Sequence, residues 1–252
     1  LFVKEIEETL LRGEAELAVH SMKDIPSELP QGLTLGVVPE RADPADCLLS
    51  QEYPDISSLP PEGVVGTSSL RRQAQLLALR PDLSVKTLRG NLDTRLRKLE
   101  EGQYQAIVAA AVGLKRLGLE APYTTSLLSA EFLPAVGQGS LGLEYVQGNE
   151  ELESIISCLD HPPSRYAAEA ERSFLQRLEG GCQVPIGGHA SLREDGSLLL
   201  RGVVADLEGK EAIREEKSLP AEEALRLGRE VADAILGRGG DRILCEAMAA
   251  DV

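Results

Sequence analysis

The chain has 252 residues, 42% of them hydrophobic and 27% charged, so it is long enough for one large or two to three small buried cores and reads as a folded globular protein. A formal net charge of −15, no Trp and only 3% aromatic residues exclude nucleic acid as an expected partner, because a polyphosphate needs a basic face and single strands need stacking surfaces. No apolar run approaches the roughly 18 residues of a membrane span and no basic-then-apolar leader is seen, so no membrane partner is expected and the chain reads as soluble and cytoplasmic.

The opening "LFVKEIEETLLRG" puts Val3, Ile6 and Leu10 at helical spacing and stops at Gly13, after which "AELAVH" reads as a short buried strand. The loop "SMKDIPSELPQG", the strand "LTLGVV" and the Pro-rich connector "PERADPAD" follow, and a domain crossing is expected there. From about Ala45 to Leu133 the chain alternates strand and helix through "DCLLS", "GVVGT", "SSLRRQAQLLALR", "LSVKTLR", "NLDTRLRKLEEG" and "AIVAAAVGLKRLG". This predicts an α/β unit with a largely parallel sheet. "LPAVGQGSLGLEY" then returns through a Gly-rich connector to another strand, so the first domain is expected to be discontinuous.

Beyond Pro162 a helix over "PSRYAAEAERSFLQRLEGG" precedes short strands at "GGHASL", "SLLLRGVVAD" and "EAIREEKS" and a helix near Ala221 to Leu236. The expected organisation is domain 1 over residues 1–39 and 140–158, domain 2 over 40–139 with a hinge crossing at each end, and a small α+β domain 3 over 159–252.

Two strand-to-helix junctions carry the first chemical signal. "VVGTSSLRRQAQ" brings Thr67, Ser68 and Ser69 to a helix start, where unpaired N–H groups and the dipole favour an anion. Arg71 and Arg72 in that first turn oppose the dipole, and an anionic ligand would compensate them; the plain alternative is a hydroxyl cap with two solvated arginines. "TLRGNLDTRLRKL" repeats the arrangement with Arg89 at the strand end, Gly90 in the turn and Arg95 at the edge of the Leu92, Leu96, Leu99 stripe. Such planar cationic forks suit carboxylates or phosphates.

In "LAVHSMKDIP" an apolar strand runs into Ser21, Lys23 and Asp24 at the carboxyl end where α/β proteins hold ligands, although a polar turn explains the same residues. Cys47, Cys158, Cys182 and Cys245 form no C-x-x-C pair, and His20, His161 and His189 do not repeat with them at zinc spacing, so neither a metal site nor a disulfide framework is expected. Cys182, in "GGCQVPIGG", stands open between packing, metal ligation, redox chemistry and attachment. Its place after a helix end does not activate it, and local physics favours a buried structural thiol.

Together, "AVHSMKDIP", "VGTSSLRRQAQL", "LRGNLDTRL", "LPAVGQG" and "RLEGGCQVPIGG", in this order and spacing, resemble the porphobilinogen deaminase (hydroxymethylbilane synthase) family from one end of the chain to the other. The resemblance implies three α/β domains, the first two arranged like a type II periplasmic binding protein around a cleft. It implies a monomeric transferase of tetrapyrrole and haem biosynthesis that joins four porphobilinogen units head to tail, with loss of ammonia, on a dipyrromethane cofactor thioether-linked at Cys182. Asp24 matches the family's catalytic carboxylate. Ser21, Lys23, Thr67, Ser68, Ser69, Arg71, Arg72, Arg89 and Arg95 match its hydroxylic and cationic binding set for pyrrole acetates and propionates, and Gly90, Asn91, Ala110 and Gln138 match cleft or hinge positions. Family members carry a segment ahead of "LFVKE", which would add a strand and basic residues. The competing expectations are a non-catalytic two-lobed binder of a small polycarboxylate and an inactive shortened form.

Overall fold

The computed structural model describes residues 2–178 and 184–249. The chain runs through α1 (Phe2–Leu11), β1 (Ala18–Ser21), a 3-10 turn at Met22–Asp24 and β2 (Leu33–Val37). It continues through β3 (Asp46–Ser50), β4 (Val64–Gly66), α2 (Leu70–Leu79), β5 (Ser84–Lys86), α3 (Leu92–Glu100), β6 (Ala106–Ala110), α4 (Ala111–Leu117) and β7 (Tyr123–Ser126). β8 (Leu141–Val146), α5 (Glu150–Ile156), α6 (Pro162–Arg177), β9 (Ile186–Leu192), β10 (Ser197–Ala205), β11 (Ala212–Pro220), α7 (Ala224–Leu236) and α8 (Gly240–Ala249) complete it.

These strands form three sheets among the described residues. The first has the order β1-β8-β2, with β8 antiparallel to both neighbours. It therefore joins chain segments that lie before and after those of the second sheet in the sequence. Leu10 of α1 is buried against Ala18 and Leu33 and closes one side.

The second sheet has the order β5-β4-β6-β3-β7. β4 is parallel to β5 and β6, whereas β3 is antiparallel to both β6 and β7. The expectation of a largely parallel sheet is thus corrected to a mixed one in which β3 opposes the rest. β3 is the strand by which the chain enters from the first sheet, with no crossover helix before it to restore the parallel direction. All five of its residues are buried, including Asp46. Helix periodicity gives no expectation for β7, α5 or α8: β7 is a short, mostly exposed polar strand made by pairing with β3, and α5 has only seven residues.

The third sheet is the antiparallel meander β9-β10-β11. α6 and α7 cover it, burying Phe174, Leu227, Val231 and Ile235 against Leu198, Leu200 and Val204.

Both crossings lie side by side. Ala42 N–H donates to the Gly139 carbonyl (3.1 Å), Arg41 Nε to the Gln138 carbonyl (2.9 Å) and Gln138 Nε2 to the Pro44 carbonyl (2.7 Å). Glu171 of α6, inaccessible to solvent, accepts from Arg41 Nη1 (2.6 Å), Gly137 N–H (2.6 Å) and Ala190 N–H (2.7 Å). One carboxylate thus ties both chain segments to the third sheet, and its hydrogen bonds offset the cost of burying it.

Gly137 has φ 73°, and a Cβ there would stand 2.7 Å from Met22 Cγ. Its bare backbone lets the second crossing lie on the Met22–Asp24 turn. Gly137→Ala is expected to cost about 1–3 kcal/mol of strain, lowering the melting temperature by several degrees in calorimetry; an unchanged melting temperature would show that the turn relaxes freely.

Candidate active site

The Met22–Asp24 turn, the start of α2, the second crossing and the start of β9 converge on a pocket of about 220 Å³ that opens to solvent. Lys23, Asp24, Ser69, Arg71, Arg72 and Gln138 supply its polar wall, and Ala135, Val136, Leu175, Val184 and Ile186 its apolar wall. Each polar residue arrives by a local rule. β1 pairs with β8 only to Ser21, and Met22 N–H then donates to the Ser140 carbonyl (3.0 Å), turning Lys23 and Asp24 out over the pocket. Ser69 caps α2, its Oγ accepting from Arg72 N–H (3.4 Å), which sets the two arginines in the first turn.

Asp46, the first residue of β3, lies behind that wall. Arg71 Nη1 donates to Asp46 Oδ2 (2.8 Å), while Arg72 Nη2 (2.7 Å) and Nε (3.1 Å) and Gln138 Nε2 (2.9 Å) donate to Oδ1. Arg71 also bonds the Leu133 carbonyl (2.6 Å), and Arg72 the Val108 carbonyl (3.1 Å). Both guanidinium groups are buried. The compensation expected from an anionic ligand is therefore in part internal, and the reading of Arg71 and Arg72 as solvated surface arginines is corrected. Two guanidinium groups share one carboxylate, so the trio stays positive and is aimed at the pocket.

Burial would push the Asp46 carboxyl up, but the charges and hydrogen bonds of Arg71 and Arg72 overcome it and hold the group well below the usual carboxylate range. Burial lowers Arg71, against the opposing pull of Asp46. Burial and the Arg72 charge likewise lower Lys23, and Arg95 is lowered by the same two causes.

The remaining sequence candidates do not line this pocket. Ser21 ends β1, and Ala110 ends β6 and caps α4 without a side-chain bond. Thr67 is buried and accepts from Ser69 N–H (3.1 Å), while Ser68 Oγ donates to the Leu88 carbonyl (2.6 Å). Arg89 and Asn91 are exposed around the Gly90 turn, where Asn91 Oδ1 accepts from Thr94 N–H (2.9 Å) and Arg95 Nε bonds the Gly90 carbonyl (2.8 Å). They form a second basic rim. Cys182 lies outside the described residues, but Val184, two positions later in the sequence, lines the pocket.

Asp46 is the residue that sequence reasoning missed. A lone acid at the head of the otherwise apolar run "DCLLS" was its only signal. Gln75 was likewise unmarked; it exchanges hydrogen bonds with the Leu133 backbone in both directions (2.9 and 2.7 Å) and holds the pocket's apolar loop to α2. Buried Cys47 is not a candidate nucleophile, since burial and the nearby Asp43 push its thiol up to about 11.

Two family models divide the chain between them: residues 1–154 match the porphobilinogen deaminase dipyrromethane cofactor binding domain, and residues 165–237 match the porphobilinogen deaminase C-terminal domain. The chain belongs to the porphobilinogen deaminase family. The porphobilinogen deaminase of Nitratidesulfovibrio vulgaris strain DP4 is 55% identical over 99% of this chain and 79% of its own length. Those of Lawsonia intracellularis (50% identical; 97% and 79%) and Brevibacillus brevis (46% identical; 98% and 80%) are similar across the same span. Among solved structures, a putative methionine-binding lipoprotein of Bacillus subtilis aligns at TM-score 0.41 and 12% identity over 63% of this chain and 75% of that one. An ancestral cationic amino acid solute-binding protein aligns at 0.40 and 16% over 62% and 66%. Family membership makes the chain a transferase of tetrapyrrole biosynthesis with a dipyrromethane cofactor, and the pocket lies where the two matched domains meet.

Proposed function

We propose that this chain joins porphobilinogen units head to tail, releasing one ammonia for each bond formed, to build hydroxymethylbilane in the pocket beside Asp24. The observation that carries the reading is the composition of that pocket: one exposed carboxylate, three cations, a hydroxyl and an amide face a strip of aliphatic side chains. Flat apolar rings bearing several carboxylates fit such a lining, with ring faces against Val136, Leu175, Val184 and Ile186 and side chains toward Lys23, Arg71 and Arg72. A dipyrromethane has this same chemistry, and in our reading Cys182 holds it as a thioether. When bound, it supplies the nucleophilic pyrrole to which new units are joined.

Asp24 accepts a pyrrole N–H and stabilises the cation formed as substrate loses ammonia, its carboxylate standing at the pocket mouth where charge develops. Asp46 holds Arg71 and Arg72 in place before substrate arrives, so their forks need little reorganisation to meet a carboxylate. Ser69 adds a neutral hydroxyl that orients without changing the charge, while Gln138 commits its Nε2 hydrogens to Pro44 and Asp46 and so helps hold that acid in place. Arg89, Asn91 and Arg95 extend the positive field along the α3 rim for the acid groups of a lengthening product. Among the described residues, Cys47, Cys158 and Cys245 are free, which suits the reducing cytoplasm in which we place the chain.

Intact-mass spectrometry of the purified chain tests the reading. We expect a species heavier than the sequence by a covalent dipyrromethane, further ladders on incubation with porphobilinogen, and neither in Cys182→Ser. A chain that turns over porphobilinogen with no added mass would overturn the attachment, and one with neither adduct nor turnover would overturn the activity.

A further inference from the structure

Three titratable side chains that do not line the pocket are buried together. His20 of β1, Glu144 of β8 and Glu7 of α1 are 6%, 0% and 5% exposed. His20 Nε2 lies 2.8 Å from Glu144 Oε2. Beyond this contact, His20 Nε2, both Glu144 oxygens and Glu7 Oε1 have no hydrogen-bond partner. Buried acids without donors are costly when ionised, and a nitrogen and an oxygen this close need a proton between them.

The surroundings favour keeping that proton. Burial raises Glu144, His20 opposes the rise and the Glu7 charge adds to it. Arg172 of α6 is the cation facing the group, itself lowered by burial. An ionised Glu144 would place a charge beside Glu7 in a buried site, with Arg172 as the cation to offset it.

His20 also sits immediately before the segment that carries the chemistry. Its backbone pairs with Gly142, Ser21 pairs with Leu141, and the chain then turns through Met22 into Lys23 and Asp24. Any slackening of β1 against β8 is passed directly to that turn.

We propose that Glu7, His20 and Glu144 form a buried cluster that positions the Lys23–Asp24 turn, and that loss of the Glu144 proton as pH rises loosens the turn and slows turnover. His20 is here a positioning residue, and the inference rests on Asp24 acting in the reaction. The sign follows from linkage: a carboxyl that binds its proton more tightly when folded contributes stability at low pH and loses it as pH rises through its folded value.

The test compares the native chain with Glu144→Gln and Glu7→Gln, reading melting temperature, kcat and KM across the range from about pH 4.5 to about pH 9.5. In the native chain, melting temperature and kcat should fall together as pH rises while KM stays within about twofold. Glu144→Gln removes the titrating carboxyl and should flatten both falling limbs, raising the ratio of kcat above the fall to kcat below it by about threefold or more. Glu7→Gln removes a neighbour that helps raise Glu144 and should move the midpoint of both limbs to lower pH; if Glu144→Gln does not fold, this shift alone decides. Limbs identical to the native chain's in the variant that folds would overturn the proposal. If porphobilinogen is not turned over at all, the activity reading fails and the melting profiles still judge the cluster: limbs that do not differ overturn it.

Discussion

Asp46→Ala is expected to destabilise the chain by about 3–5 kcal/mol, because it strands Arg71 and Arg72 as buried, unpaired cations. The melting temperature should fall by roughly 10 °C, taking about 2–4 °C per kcal/mol for a chain of this size. Asp46→Asn keeps the shape and part of the hydrogen bonding but removes the charge, and should fall between the two. Asp82→Ala provides the contrast: Asp82 pairs with Arg80 at the surface (2.8 Å), and such pairs contribute less than about 1 kcal/mol. Calorimetry on the three variants checks the order. Equal effects at Asp46 and Asp82 would mean that water or backbone carbonyls suffice for the arginines. The same ion pairs give a pH dependence: since the folded chain depresses the Asp46 carboxyl, the stability it contributes is present above the unfolded value and is lost as pH falls through the folded one.

Asp24→Ala should act in the opposite way, on rate and not on fold. Asp24 is exposed, so its removal should change stability by no more than about 0.5 kcal/mol. A fixed carboxylate meeting a developing cation, with a share in proton transfer, is worth about 10²- to 10⁴-fold in rate. Product formation should drop by that factor with the melting temperature unchanged, and Asp24→Asn should be nearly as impaired, since the amide keeps the size but not the charge. Turnover near the native rate in either variant would remove Asp24 from the chemistry. A loss matched by a fall in melting temperature would mark it as structural instead.

The strand and helix order and the Ser69 cap were legible because they depend on neighbours within four residues: a hydroxyl before an apolar-periodic run is sufficient. The candidates of the Lys23–Asp24 turn and of the α2 start were legible for a second reason, since their motifs recur in register and the family resemblance names their partners. Asp46 was not, because what makes it central is its position opposite Arg71 and Arg72, 25 and 26 residues away. The reversed direction of β3 was hidden likewise, as strand direction is set by where the chain re-enters a sheet and not by the composition of the strand.

By itself, then, the sequence determined an acidic α/β chain, its family and the clustering of hydroxylic and cationic residues at strand-to-helix junctions, all of which follow from local periodicity, capping and motif register. Only the tertiary structure decided which of those residues share a pocket, that Arg71 and Arg72 are held by a buried acid instead of facing solvent, and that His20 meets Glu144 behind the turn. These are contacts between segments far apart in the chain, made when desolvation forces each buried charge to find a partner, and no window of neighbouring residues records that pairing.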